Sequence, residues 1–186
     1  GPSGLLDGTV AVTSDLMVIE DAEAPLLVPV SYRIEIVRSS GGTETRTTDT
    51  VTIPHADINE AWLKDPGNPQ RNVKVMVRTP PNWQRPDVRG VHRVAGRRNA
   101  VVLSDVLGGM EGDLVIWTRT DEERKALHHL LDPQRVLLWQ AAPGMGVDDM
   151  YVSVGQPTEG RVGGPAQEPW REWTLPVTEQ DMPTTL

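Results

Sequence analysis

The chain has 186 residues with no Cys, no Phe, six Trp and two Tyr, and it sets 18 Lys+Arg against 26 Asp+Glu for a formal charge of −8. The lack of Cys excludes a disulfide framework and thiol catalysis, and the acidic balance argues against a general nucleic-acid surface. No apolar run approaches the ~20 residues of a membrane span, and no charged-apolar-small signal opens the chain, so we expect a protein that is soluble when expressed alone, without membrane insertion.

Such a length suffices for one large β domain or two small ones. The opening Gly-Pro-Ser-Gly reads as a protease scar or a cloning boundary. Residues 8 to 53 follow with strand patterning: GTVAVT, LMVIED, VSYRIEIV and TRTTDTVTI are rich in β-branched residues or alternate apolar with polar positions. In VSYRIEIV, Val30, Tyr32, Ile34 and Ile36 point one way, and Ser31, Arg33, Glu35 and Val37 the other. Ser39-Ser40-Gly41-Gly42 supplies a turn, which makes 30 to 53 a β-hairpin. The stretch EAPLLVPVSYRIEI resembles the approach to the sixth strand of a fibronectin type III or immunoglobulin-like sandwich, where a Tyr packs at the strand corner.

Residues 54 to 70, PHADINEAWLKDPGNPQ, break the pattern with three Pro and a Gly and read as a joint, with a single helical turn over Asp57 to Lys64. Beyond Arg71 the pattern is β again: NVKVMVRT, a Pro-rich turn with Trp83, a basic loop, NAVVLSDV, GDLVIWTR, a helix, RVLLWQ, DMYVSVG and EPWREWTLPVTEQD. Leu114, Ile116 and Thr118 alternate against Val115 and Trp117, and Trp173, Leu175 and Val177 against polar neighbours; Pro176 suggests an edge strand.

The helix has a clear start, since Thr120-Asp121-Glu122-Glu123 fits a capping box and places acidic residues at the positive end of the helix dipole. Ala126, Leu127, Leu130 and Leu131 form an apolar stripe, and Asp132-Pro133 stops the element. Its expected work is to cover one open end of the surrounding strands.

No catalytic constellation emerges. His128 and His129 are adjacent and diverge by roughly 100° on a helix, so they do not converge on a metal. His55 with Asp57, and His92, lack a nucleophile beside them, and Ser104-Asp105 lacks the glycines of a nucleophile elbow. Asp148-Asp149 with Glu111 and Asp113 lack the ligand alternation of a calcium loop, and the glycines of GGMEG and PGMG lack the strand-Gly-helix order of a phosphate cradle. Catalytic, cofactor and metal sites are therefore all expected to be absent.

The Arg cluster is the most unusual local feature: five Arg and one His fall within RPDVRGVHRVAGRR, residues 85 to 98. No aromatic platform interleaves with it, so it reads as a solvated loop or a protein contact. The Trp residues suit core packing in a chain without Phe, while any exposed indole offers a stacking face for sugar. Trp170 and Trp173, three apart, fall on opposite faces of a strand.

Three stretches taken together, DAEAPLLVPVSYRIEI, AWLKDPGNPQRNVKVMV, and the run from RRNAVVLSDVLGG through GDLVIWTRTDEERKALHHLL to PWREWTLPVTEQDMP, resemble the minor tail or distal tail proteins of long-tailed bacteriophages and prophages of actinobacteria. That resemblance implies an immunoglobulin-like β module, a joint at Trp-Leu-Lys-Asp-Pro, and a second β-sandwich with a helix. It also implies a structural, non-catalytic role in the tail tip of the virion, with other tail or baseplate subunits as partners, often in a homo-oligomeric ring.

The resulting expectation is an all-β protein: an immunoglobulin-like part over 5–56, incomplete as a sandwich, a Pro-rich joint over 57–69, and a second β-sandwich over 70–182 with its helix at 120–131. Partner contacts are assigned to Arg89, Arg93, Arg97 and Arg98, with Trp83 beside them. The alternative is a carbohydrate-binding module for a host-surface glycan.

Overall fold

The computed structural model describes residues 18, 21, 23–141, 143–164 and 168–183. The fold is all-β, with one α-helix among the described residues, and the chain divides into two compact units. One contains the described residues up to Ile58 together with 143–146; the other contains 59–141 and the described residues from Val147 onward.

In the first unit, β1 (Pro29–Val30) pairs antiparallel with β4 (Val51–Thr52), and β2 (Arg33–Val37) with β3 (Thr43–Thr47), so the expected hairpin is present. Its turn closes with Arg38 N–H donating to Gly42 O and Gly41 N–H to Arg38 O, and Gly41 sits at φ +88°, where a side chain would be strained. A parallel bridge joins Leu26 to Ile53. Among the described residues, the module expected over 5–56 consists of this hairpin and bridge, without a facing layer of strands. Consequently the apolar alternation stays uncovered: Ile34 is 53% exposed and Val37, on the opposite face, 71%. Tyr32 is also exposed, and its hydroxyl donates to Asp21 Oδ2 at 2.9 Å. Loss of solvent, then Asp21, raises the phenol above its ordinary range.

The second unit is a closed antiparallel barrel of six strands: β5 (Glu60–Lys64), β6 (Val73–Thr79), β9 (Glu111–Thr118), β10 (Leu137–Ala141), β11 (Met150–Val154) and β13 (Arg171–Gln180). The ring runs β5-β6-β9-β13-β11-β10 and returns to β5, so the strands expected as two sandwich layers are continuous through both edges. Closure removes the unpaired ladder edges that a sandwich must protect. Strand alternation explains the interior, since every second residue faces inward. Ala61, Leu63, Val73, Val75, Val77, Leu114, Ile116, Leu137, Trp139, Val152, Trp173, Leu175 and Val177 are all buried there. Thr118 is the polar member, and its hydroxyl accepts the Trp173 indole N–H at 3.1 Å.

Two expectations need correction. Residues within Asp57 to Lys64 form strand β5 rather than a helical turn, because Ala61 and Leu63 complete the barrel interior beside Val73 and Trp139. Pro176 is not on an edge strand: β13 pairs with β9 along one side, and along the other with β12 (Thr158–Arg161) and then β11. The proline is tolerated because its missing N–H faces the break between β11 and β12, where Gly155 N–H donates to Pro176 O at 2.7 Å.

Helix α1 (Asp121–Leu131) joins β9 to β10 and lies against β6, β9 and the short 3-10 turn Pro69–Arg71. Thr120 Oγ1 accepts Glu123 N–H at 3.2 Å, as a capping residue should. The return bond reaches one residue further than a standard capping box, from Arg119 N–H to Glu123 Oε2 at 2.6 Å. Leu127 and Leu130 are buried at the barrel end, whereas Ala126, expected in the same stripe, is exposed.

Candidate functional site

The basic segment expected as a loop is largely a second hairpin. Strand β7 (Asp87–His92) pairs antiparallel with β8 (Val101–Leu107) from His92 opposite Val101 down to Asp87 opposite Leu107, with an irregularity between Asp87 and Arg89. The hairpin leaves the barrel between β6 and β9, and its base is tied by the Gln84–Glu111 bridge and by Gly108 N–H donating to Pro86 O.

Sequence order grouped Trp83 with four Arg, and the structure separates them. Trp83 sits at the hairpin base, where its ring edge lies about 3.2 Å from the place a Cβ on Gly112 of β9 would occupy. Its indole N–H is buried without a hydrogen-bond partner among the described residues, so this side chain anchors the base rather than lining the tip. Arg89 lies on β7 opposite Ser104, and its side chain is outside the described part. Arg93, Arg97 and Arg98 lie together on the connection between the two strands, exposed and in no ion pair among the described residues. Val91, Val94 and Val102 beside them are about half exposed. The tip therefore offers planar donors and apolar surface together, a combination suited to recognising carboxylates on another molecule.

Carboxylates collect at the other end of the same hairpin: the sequence already suggested weighing Asp148-Asp149 together with Glu111 and Asp113, and the structure adds Glu179 and Asp181. Glu111 opens β9 opposite Thr178, Glu179 and Asp181 lie at and beyond the end of β13, and Asp148-Asp149 immediately precede β11, whose Tyr151 faces Gln180. Strand register thus places them along one rim of the barrel. Between this rim and the hairpin base lies a crevice of about 350 Å³, lined by Arg85, Leu107, Gly108, Glu179 and Asp181. Glu179 Oε2 accepts Met110 N–H at 2.7 Å, and Asp149 accepts the Gln140 amide at 2.9 Å. Burial pushes the Asp149 carboxyl above its ordinary range, opposed by that hydrogen bond. No group of three or more His, Asp or Glu side chains among the described residues is arranged to hold a metal ion.

At the opposite end of the barrel, Glu159 of β12 gathers two guanidinium groups and an imidazole: Arg124 at 2.5 Å, Arg171 at 3.5 Å and His128 at 3.3 Å. The Arg124 hydrogen bond, despite some burial, holds the Glu159 carboxyl below the usual range. His128 also packs edge-on to Trp173 at 4.8 Å, so the cluster ties α1 to β12 and β13. His129 carries no described contact in common with it, so the histidine pair does not converge.

The indoles divide as the strand alternation requires. Trp139 and Trp173 are buried inside the barrel, while Trp62, Trp117 and Trp170 lie half-buried. The faces on which a sugar would stack already carry cations: Lys64 and Lys74 lie 5.9 and 5.6 Å from the Trp62 ring, and Arg78 5.5 Å from that of Trp117. Trp170 meets Trp117 edge-on at 5.6 Å.

No family model matches the chain, and no curated protein matches it. Among the described residues no helix is long and apolar enough to cross a membrane.

Proposed function

We propose that this protein is a non-catalytic structural component of a phage tail tip or baseplate, held in the virion by contacts with other tail or baseplate subunits and with copies of itself in a ring. One observation supports this most: the exposed tip of β7–β8 carries Arg93, Arg97 and Arg98 without acidic partners among the described residues, on a chain whose formal charge is −8. A cationic ribbon projecting from an acidic body favours electrostatic docking between protein surfaces. The resemblance in residue order to minor and distal tail proteins supplies the kind of particle.

The test is gold-labelled antibody against the chain, viewed by electron microscopy on particles from an induced or infected culture of the source organism. Label at one end of a tail is the expected outcome. Particles left unlabelled by an antibody shown to bind the native protein would remove the tail assignment and bring a glycan-binding module forward.

A further inference from the structure

The tip of the β7–β8 hairpin and the acidic rim of the barrel are complementary surfaces that one molecule cannot bring together. Arg93, Arg97 and Arg98 give the tip a formal +3; with the whole chain at −8, the remainder carries −11. Glu111, Asp148 and Asp181 on the rim, and Asp113 two residues further along β9 opposite Pro176, are exposed and in no ion pair among the described residues. The rim lies beside the hairpin base, and six residues of β7 separate base from tip, a span of about 20 Å at strand rise. The tip guanidinium groups thus stand well beyond reach of their own molecule's rim.

We propose that the tip of one copy docks on the acidic rim of a second copy, with Arg93, Arg97 and Arg98 meeting Glu111, Asp113, Asp148 and Asp181 of the neighbour. This inference rests on the subunit-contact reading above but does not depend on the particle. Guanidinium groups pair bidentately with carboxylates, and the exposed Val91, Val94 and Val102 supply apolar surface to bury beside them. Because the two surfaces differ, the contact is heterologous: each copy keeps a free tip and a free rim, so the arrangement repeats into a ring or a filament. Charge steering makes the association salt-sensitive.

Light scattering and sedimentation of the full chain test this with two variants. One reverses the tip (Arg93→Glu, Arg97→Glu, Arg98→Glu) and the other the rim (Glu111→Lys, Asp113→Lys, Asp181→Lys), each first shown to unfold at the wild-type temperature. If reversal of the rim prevents folding, Asn or Gln replacements at the same positions take its place, and the wild-type tip should then bind them at least about tenfold more weakly. Wild type should associate at low salt and lose about tenfold or more in affinity at high salt. Each reversed variant alone should be monomeric, since like charges then meet, while an equimolar mixture should associate because every tip again finds an opposite rim. A wild-type chain that stays monomeric at low salt overturns the proposal, as does a reversed variant that associates like wild type or a folded mixture that does not associate. Tail labelling is independent of these outcomes, so this contact can fail while the tail assignment stands.

Discussion

Strands β2 and β13 carry the same kind of pattern and meet opposite fates. VSYRIEIV and REWTLPVTE both alternate apolar with polar residues. On β13, Trp173, Leu175 and Val177 are buried inside the barrel; on β2, every residue is exposed on both faces. Alternation therefore establishes that a segment pairs as a strand and which residues share a face. Burial needs a second layer, and the barrel supplies one by closing the sheet on itself.

Substitutions can break this comparison, and the largest effects belong to the barrel. Leu175→Ala and Leu127→Ala each remove a fully buried side chain and should cost about 2 to 5 kcal/mol. All six Trp lie in the barrel unit, so Trp fluorescence during urea unfolding reads that unit alone. A loss below about 0.5 kcal/mol at Leu127 would show that α1 does not close the barrel end. Thr118→Val leaves the buried Trp173 N–H without its acceptor and should cost about 1 to 3 kcal/mol by the same measurement.

A smaller effect, about 1 kcal/mol or less, is expected for Glu159→Gln, whose ion pairs lie near the surface. Its pH dependence is the sharper readout. With the folded carboxyl held below its unfolded value, the contribution is present at neutral pH and is lost as pH falls through the folded value. Wild type should therefore lose its advantage over Glu159→Gln on acidification, and a constant difference down to strongly acid pH would exclude the pairing.

The smallest effect is predicted for Ile34→Ala, below about 0.5 kcal/mol, because its side chain is already in water. Amide hydrogen exchange should show the same division, with β9 and β13 amides protected far longer than those of β2 and β3. Equal protection would mean that the hairpin has a covering partner in solution.

Local chemistry was legible where the relevant partners lie within a few residues. Thr120 and Glu123 marked the helix start, Gly41 and Gly42 the hairpin turn, and the even-numbered positions from Leu114 to Thr118 the face that is buried. Strand β5 was hidden because Asp57, Pro66 and Pro69 surround a run of only five residues, too short for its alternation to outweigh those breakers. The basic hairpin was half legible: its Arg content stood out, but Gly90 and the scattered charges masked the strand β7, whose partner begins nine residues further on.

Residue order alone established the all-β class, the start of helix α1, the charge asymmetry and the inward positions of β9 and β13, because these follow from local periodicity and composition. Tertiary structure alone decided that the larger sheet closes into a barrel, that Pro176 faces a break rather than an open edge, and that Glu111, Asp148 and Asp181 share one rim. Each of those depends on which distant strands pair and in what register, and strand periodicity is the same whichever partner a strand finds.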